Sequence, residues 1–360
     1  MGTVLVRPPG HRRDIALRPA AVAMAWLGLG HPHEMIAVPG VALGDGDVLV
    51  AVEMSTICPA DLLAVQGASP APVPLVLGHE SVGRVIATGD AGAVAVDGIP
   101  VKVGDRVVWA GAIPCGTCER CAAGLGPACR SAREYGRERI GGHGDLTGAF
   151  ASHVQLWAGT AIVRVPEALP ASVLAPAACA TATAWAALSR AGRELDGVGV
   201  RIHGAGLLGL SAAAIASDLG AIVEVLDPDD ARRALALRFG AVPRLDREPA
   251  VVIETSGHAV PEAIEGAAAG GTVVLAAVPS SPEPVAFDAA GVVTGHVTVT
   301  GVRRGAPADL AAAVAFLAGR GRAYPFADAV GGVRPLSAID EAMAAASAAD
   351  APPRIGLVPG

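Results

Sequence analysis

Aromatic side chains are almost absent from this sequence: five Phe, four Trp and two Tyr make up 3% of 360 residues. The interior must therefore be packed with small aliphatic groups, which abundant Ala, Gly and Val supply. An excess of basic charge is missing too, because 27 Lys and Arg face 34 Asp and Glu for a net charge of −7. That balance gives no footprint for nucleic acid, which needs a basic face. The local arginines Arg130, Arg133, Arg137 and Arg139 read as a solvated loop. Neither an internal repeat nor a low-complexity linker is found, and beyond the N-terminal region no apolar run approaches the length that spans a bilayer. With 52% hydrophobic and 17% charged residues the chain is globular rather than disordered.

What is present points to two domains, since 360 residues exceed one core and fall short of three. Arg12-Arg13 followed by apolar Ala20 to Leu29 has the shape of an export signal, but no small-residue cleavage pattern follows at Gly30-His31-Pro32. The competing reading is a first strand, with Val22 to Trp26 leading into Met35 to Val38 and Asp47 to Val52. Up to about Pro170 short β-rich runs are broken by Gly and Pro, as in Gly44 to Glu53, Gly83 to Thr88 and Asp105 to Trp109, which predicts a small barrel-like β domain. From Ala175 onward Ala-rich helical stretches alternate with apolar strands at Val198 to His203, Ile222 to Asp227, Val251 to Glu254, Thr272 to Ala277 and Val297 to Val302. This alternation predicts an α/β unit with a doubly wound parallel sheet. A last helix, Ala306 to Gly319, and the tail are expected to return to the first domain.

Within that second unit, Gly204-Ala205-Gly206-Leu207-Leu208-Gly209 lies between a strand and the helix Leu210 to Asp218, which is GxGxxG in its required context. The glycines permit a tight turn, a close approach of backbone to pyrophosphate, and packing of helix on strand. The helix N-terminus favours the anion. Asp227, at the end of the next strand, can accept hydrogen bonds from the adenosine ribose and would repel a 2′-phosphate, so NAD is expected over NADP. Arg232 and Arg233 nearby could soften that preference.

Cys115, Cys118, Cys121 and Cys129 place four thiols within fifteen residues. Four thiolates suit a tetrahedral zinc ion, and a closed site of this kind is structural. Disulfides are the alternative, disfavoured by the two-residue gaps and an apparently cytoplasmic setting. Cys58, His79, Glu80 and Cys179 are too dispersed to form a motif by spacing.

Gly78-His79-Glu80 with Gly83, then Gly104-Asp105-Arg106-Val107, the four-cysteine lobe and the dinucleotide loop together resemble the zinc-dependent medium-chain alcohol dehydrogenases. The resemblance spans almost the whole chain. It implies a GroES-like catalytic domain, residues 1–180 and 304–360, with a Rossmann NAD-binding domain, 181–303, inserted in it. It also implies that Cys58, His79 and Cys179 bind a catalytic zinc, that Asp61 orients the histidine, and that Glu80 sits behind the metal. Thr183 and Leu208 would lie against the nicotinamide, with Leu207 in the fingerprint loop, Val278 also binding the cofactor, Arg232 near the ribose and Arg354 near the pyrophosphate. Gly159 to Pro166, Cys179 to Thr183 and Arg133 to Gly136 are similar to the branch of these enzymes associated with phosphonate metabolism, which hints at a small anionic substrate.

Two departures stand out. Where such enzymes carry a Ser or Thr that receives the alcohol proton, and in some a His that relays it, this chain has Ala60 and Leu63. Pro59 replaces a polar neighbour of the first ligand. Glu80, Thr56, His143, a water chain or the cofactor ribose are the candidate substitutes. The reading is therefore a two-zinc, NAD-dependent oxidoreductase interconverting an alcohol and an aldehyde or ketone. The alternatives are reduction of an activated C=C or C=N bond, which needs no alkoxide relay, and a non-catalytic NAD-binding redox sensor. Expected partners are a small alcohol or carbonyl compound and further copies of the chain, as dimer or tetramer through the edge strand near Val297 to Val302, with no nucleic acid and no membrane. Arg303-Arg304, just beyond that strand, could reach an anionic substrate.

Overall fold

Residues 12–141, 144–278 and 283–360 are described by the computed structural model. Strand Arg13–Trp26 pairs antiparallel with Glu34–Leu43 and, at its end, with Leu75–Val76. Ala21, Ala23 and Ala25 within it are buried, so the apolar stretch after Arg13 is a strand of the core. Strand Val48–Thr56 is the centre of a second sheet, flanked by Ser81–Thr88, His153–Leu156 and Arg354–Val358. Its near-continuous apolar sequence follows from burial on both faces: Val48, Val50 and Val52 join one cluster, Leu49 the other. Ser81–Thr88 leads on to Arg106–Trp109 and Ile162–Arg164, and Arg354–Val358 pairs in parallel with Val330–Pro335.

The second half contains six parallel strands in the spatial order Ala241–Val242, Ile222–Leu226, Gly199–His203, Val251–Glu254, Thr272–Leu275 and Thr298–Gly301. The chain leaves the central strand Gly199–His203 first to one side and then to the other. A crevice opens at the carboxyl ends where the order reverses, the usual ligand position in such sheets. The following helix runs Leu207–Asp218 and starts three residues before the expected Leu210, because extended Gly206 already serves as its N-cap.

Two features bear on the expectations. In the helix Pro307–Ala318, Leu310, Ala313, Val314, Phe316 and Leu317 share one core with Val200, Ile202 and the helix Ala182–Arg190, a core that also takes in Met54, Val82 and Val108 of the first unit. The helix is apolar on most of its surface, so it sinks into the larger core nearest to it. Aromatic packing of Phe239, Phe316, Tyr324 and Phe326 extends this core, and the chain rejoins the first unit's sheet only at Val330–Pro335. Secondly, the helical stretch Ala171–Arg190 is long and apolar enough to cross a membrane, although 61% of its apolar window is buried inside the protein. Its apolarity serves the same core.

Candidate active site and metal centres

Cys58, His79, Glu80 and Cys179 converge although they come from three segments: one ligand atom from each lies within 4.8 Å of all the others. Cys58 caps the short helix Pro59–Val65, whose Asp61 accepts the Cys58 amide through Oδ2 at 2.9 Å. The other oxygen of Asp61 faces His79 Nδ1 at 3.4 Å. One carboxylate thus fixes both donors and leaves the imidazole Nε2 for a metal. His79 follows Gly78, which holds φ +94° and has Phe150 Cδ1 where a Cβ would stand at 2.7 Å, so only glycine brings the histidine in here. Cys179 sits in a π-helical turn, Ala177–Thr181, and its Sγ is 4.0 Å from that of Cys58.

Behind these donors Glu80 is fully buried. Arg354 donates to both of its oxygens at 2.8 Å, and Thr56 Oγ1 donates to Oε2 at 2.6 Å. Burial alone would raise the Glu80 carboxyl, but the charge and hydrogen bonds of Arg354, helped by His79 and Thr56, hold it below its ordinary value. Hydrogen bonding to Cys179 brings the Cys58 thiol down to about 6 against the cost of burial, with Arg354 and His79 adding positive charge. Cys179 is correspondingly pushed up by that same pairing and by burial. Burial disfavours the charged form of His79, yet Asp61 and Cys58 outweigh it and raise the imidazole well above its usual range. Two thiols and an imidazole around one point match the three protein ligands of a zinc site with a fourth position open, since Arg354 and Thr56 already engage the Glu80 carboxylate.

The four lobe cysteines are closer still to a metal geometry. Sγ separations are 3.5 Å for Cys118–Cys121, 3.8 Å for Cys118–Cys129 and 3.9 Å for Cys115–Cys121. A tetrahedron with zinc–sulfur bonds of about 2.3 Å has edges of about 3.8 Å. Backbone amides of Thr117 and Cys118 bring the Cys115 thiol down to about 6, as a thiolate ligand requires. All six cysteines are free thiols.

At the nucleotide loop Gly204 takes φ +100°, and a Cβ on Gly209 would stand 1.9 Å from Gly204 O, so helix and loop approach as closely as the fingerprint demands. Asp227 closes this loop from the next strand: Oδ2 accepts from Ala205 N at 2.7 Å and Oδ1 from Asp229 N at 3.0 Å. Leu207 is buried and Leu208 half-buried on the first turn of the helix. Thr183 is buried one turn beyond Cys179, and Thr181 Oγ1 lies 3.4 Å from Ser211 Oγ on the helix that follows the glycine loop.

Comparison with known proteins agrees with this geometry. Residues 44–167 match the family described as alcohol dehydrogenase GroES-like domain, and residues 208–319 match zinc-binding dehydrogenase. An L-threonine 3-dehydrogenase of Streptomyces coelicolor is 35% identical over 292 residues, 74% of this chain and 79% of the relative. An alcohol dehydrogenase of Geobacillus stearothermophilus is 31% identical over 310 residues, covering 79% and 85%. The crystal structure of an alcohol dehydrogenase from Thermotoga maritima superposes with a TM-score of 0.87 at 25% identity, covering 94% of this chain and 99% of that one. The chain belongs to the zinc-dependent medium-chain alcohol dehydrogenases. It is an oxidoreductase of the zinc-binding, nicotinamide-dependent type.

Within this dehydrogenase not every expected residue lies where the sequence put it. Arg354 is not free for a pyrophosphate: Nε and Nη2 hold Glu80, Nη1 donates to Pro353 O at 2.9 Å, and Nη2 is 3.8 Å from Cys58 Sγ. A buried carboxylate left uncompensated would be costly, and this guanidinium is the cation within reach. Val278 is 70% exposed beyond the strand Thr272–Leu275. Arg232 Nη2 donates to Ala351 O at 3.2 Å. His143 lies outside the described residues. Thr56 and Glu80, offered as proton carriers, are spent on each other. Sequence reasoning missed Thr255, whose Oγ1 donates to His203 O at 2.8 Å and Gly204 O at 3.1 Å and braces the glycine turn. It also missed Glu254, whose carboxylate accepts the Ser256 and Gly257 amides. Their place immediately after an apolar strand was the available signal.

Proposed function

We propose that this dehydrogenase interconverts a small alcohol and its aldehyde or ketone at the Cys58, His79, Cys179 cluster, with Glu80 behind it, while Cys115, Cys118, Cys121 and Cys129 hold a structural zinc. The observation that carries this reading is the convergence of four donors from three separate segments within 4.8 Å, one helical turn from Thr183. Zinc there supplies a Lewis acid for the substrate oxygen, and the nicotinamide exchanges hydride. The chain's own residues prepare that chemistry. Asp61 keeps His79 in the tautomer that offers Nε2, Arg354 balances Glu80 and lowers Cys58, and the loop 204–209 with Asp227 seats the dinucleotide. Asp227 favours NAD over NADP.

Proton transfer takes a different route from the usual hydroxyl. Ala60 and Leu63 offer none, and the Thr56 hydroxyl is committed to Glu80, so water, the cofactor ribose or His143 carries the proton. The same observation favours a second reading, reduction of an activated C=C or C=N bond. Assaying NADH oxidation by zinc-loaded protein with aldehydes and with conjugated acceptors separates the two: turnover of aldehydes alone supports the first, of conjugated acceptors alone the second. A redox sensor would turn over neither, and the complete donor sets speak against it.

The exposed edge strand Thr298–Gly301 supports a homodimer or tetramer formed by strand pairing, and six free thiols fit a cytoplasmic setting. We place the inserted nucleotide-binding domain from about 181 to the end of the helix Pro307–Ala318 rather than to 303.

A further inference from the structure

Positive charge is concentrated at one edge of the cleft in a chain whose net charge is −7. Arg304 holds both oxygens of Glu134, with Nη1–Oε1 at 3.0 Å, and Arg303 Nη2 stands 3.6 Å from Oε1. Arg137 adds its charge to the same carboxylate from three residues along the chain. Glu138 is the other acid here, its Oε1 accepting the Glu134 amide at 3.3 Å. Three guanidinium groups against two carboxylates leave a cation in surplus.

The group borders the metal cluster. Strand Arg133–Glu134 pairs with Ala112–Ile113, Ala112 opposite Glu134, and the Tyr135 amide donates to Gly111 O at 3.0 Å. Gly111 lies against His79, with a Cβ position only 3.5 Å from His79 Cβ and 3.8 Å from Cδ2. On the other side Arg137 Nη2 donates to Ala60 O at 3.4 Å, two residues beyond Cys58. Arg303 and Arg304 arrive from the opposite unit, immediately after strand Thr298–Gly301, at the carboxyl end of the parallel sheet where ligands bind.

The three arginines differ in what they have left to give. Arg304 is spent on Glu134, and Arg137 on Ser69 Oγ, Pro70 O and Ala60 O. Arg303 makes no hydrogen bond among the described residues, and its side chain is 59% exposed. Its planar fork is available for a bidentate oxyanion, and Arg304 screens the charge of Glu134 that would otherwise repel one.

Building on the dehydrogenase reading above, we infer that the alcohol substrate bears an oxyanion group, carboxylate or phosphate, and that Arg303 binds this group while the hydroxyl-bearing carbon faces Cys58, His79 and Cys179. Arg304 and Glu134 act as positioning residues that hold the neighbouring backbone and charge.

The test uses zinc-loaded full-length protein. Turnover with NAD is compared for 3-hydroxybutyrate, 2-hydroxyethyl phosphate and the neutral 2-butanol, in the wild type, Arg303→Ala, Arg303→Lys and the exposed remote control Arg334→Ala. The expected result is a preference for one of the anionic alcohols, a ratio of anionic to neutral kcat/KM that falls about ten- to hundredfold in Arg303→Ala, partial recovery with Lys, and no change of ratio in the control. Which anionic alcohol wins tells carboxylate from phosphate. Calorimetric titration of inorganic phosphate and of acetate, with NADH saturating the dinucleotide crevice, gives a readout without turnover. Binding should be present in the wild type and lost in Arg303→Ala. Anion binding at Arg303 without turnover of any alcohol would uphold the anion site and sink the dehydrogenase reading. Turnover that ignores substrate charge and Arg303→Ala, or anion binding unmoved by that change, overturns the inference.

Discussion

Arg354 reaches Glu80 with two parallel hydrogen bonds of 2.8 Å, and the same guanidinium lies 3.8 Å from the sulfur of Cys58. Both partners of this ion pair are buried, so neither charge can fall back on water. Replacing Arg354 by Met should strand the carboxylate and cost about 3–5 kcal/mol of unfolding free energy. The doubly substituted Arg354→Met, Glu80→Gln protein should regain much of that loss. Denaturant titrations of both variants check the cycle, and a single-variant loss under about 1 kcal/mol would mean that Glu80 is compensated in another way.

The two thiol-rich clusters should behave as independent metal centres. Elemental analysis of the native protein is expected to give two zinc ions per chain, falling to about one in Cys179→Ala and also to about one in Cys129→Ala. The first variant should lose turnover yet keep its fold. The second should lose stability as well, because the lobe 115–129 has only two short helical turns and little buried side-chain surface to hold it. Retention of both metals in either variant removes that cysteine from the ligand set.

Gly209 touches Gly204 O so closely that a methyl group cannot be added without moving the helix Leu207–Asp218 off the loop. Gly209→Ala should weaken NADH binding at least about tenfold, a loss of 1.4 kcal/mol or more, while zinc content stays unchanged. Fluorescence titration of NADH reports the affinity. Unaltered binding would show that the dinucleotide lies elsewhere.

Acid should loosen the link between Glu134 and the arginines opposite. Burial tends to raise this carboxyl, but Arg304, with Arg303 and Arg137, depresses it. Its folded-state value thus lies below the unfolded one, about 4.3. The stabilisation is complete above that pH and disappears as pH falls through the folded value. Subtracting the stability–pH curve of Glu134→Gln from that of the wild type should isolate this slope at the acidic end, with a flat difference at neutral pH. A difference that grows toward alkaline pH would contradict the assignment.

Strand Thr298–Gly301 ends the parallel sheet with Val299 exposed, an open edge suited to pairing with a second copy. Val299→Lys should shift sedimentation velocity toward a monomer. An unchanged oligomer would place the interface on another face.

Legibility followed sequence distance. The four lobe cysteines and the glycine loop each fit within one short segment, so local chemistry announced them. Cys58 and Cys179 are 121 positions apart, and only the family resemblance joined them with His79. Glu80 and Arg354 lie 274 positions apart, and nothing about an isolated arginine tells whether it will face a phosphate or a buried carboxylate. Where the helix Pro307–Ala318 packs was not legible, because a segment apolar on nearly every side carries no direction in its periodicity. The strands fared better: the alternation of strand and helix specified the parallel sheet, and only the strand ends moved by a residue or two.

The strand Arg354–Val358 lies beside Val48–Thr56, with Gly356 opposite Thr56, so this sheet is closed by one of its most distant pairings in sequence. Loop closure on that scale is slow, whereas the strand–helix alternation of the nucleotide-binding unit joins near neighbours. Until the distant pairing forms, Glu80 lacks its counter-charge and Val48–Thr56 keeps part of an edge open. The buried ion pair is thus a late and long-range contact, and the metal cluster in front of it is finished only when the whole first sheet is.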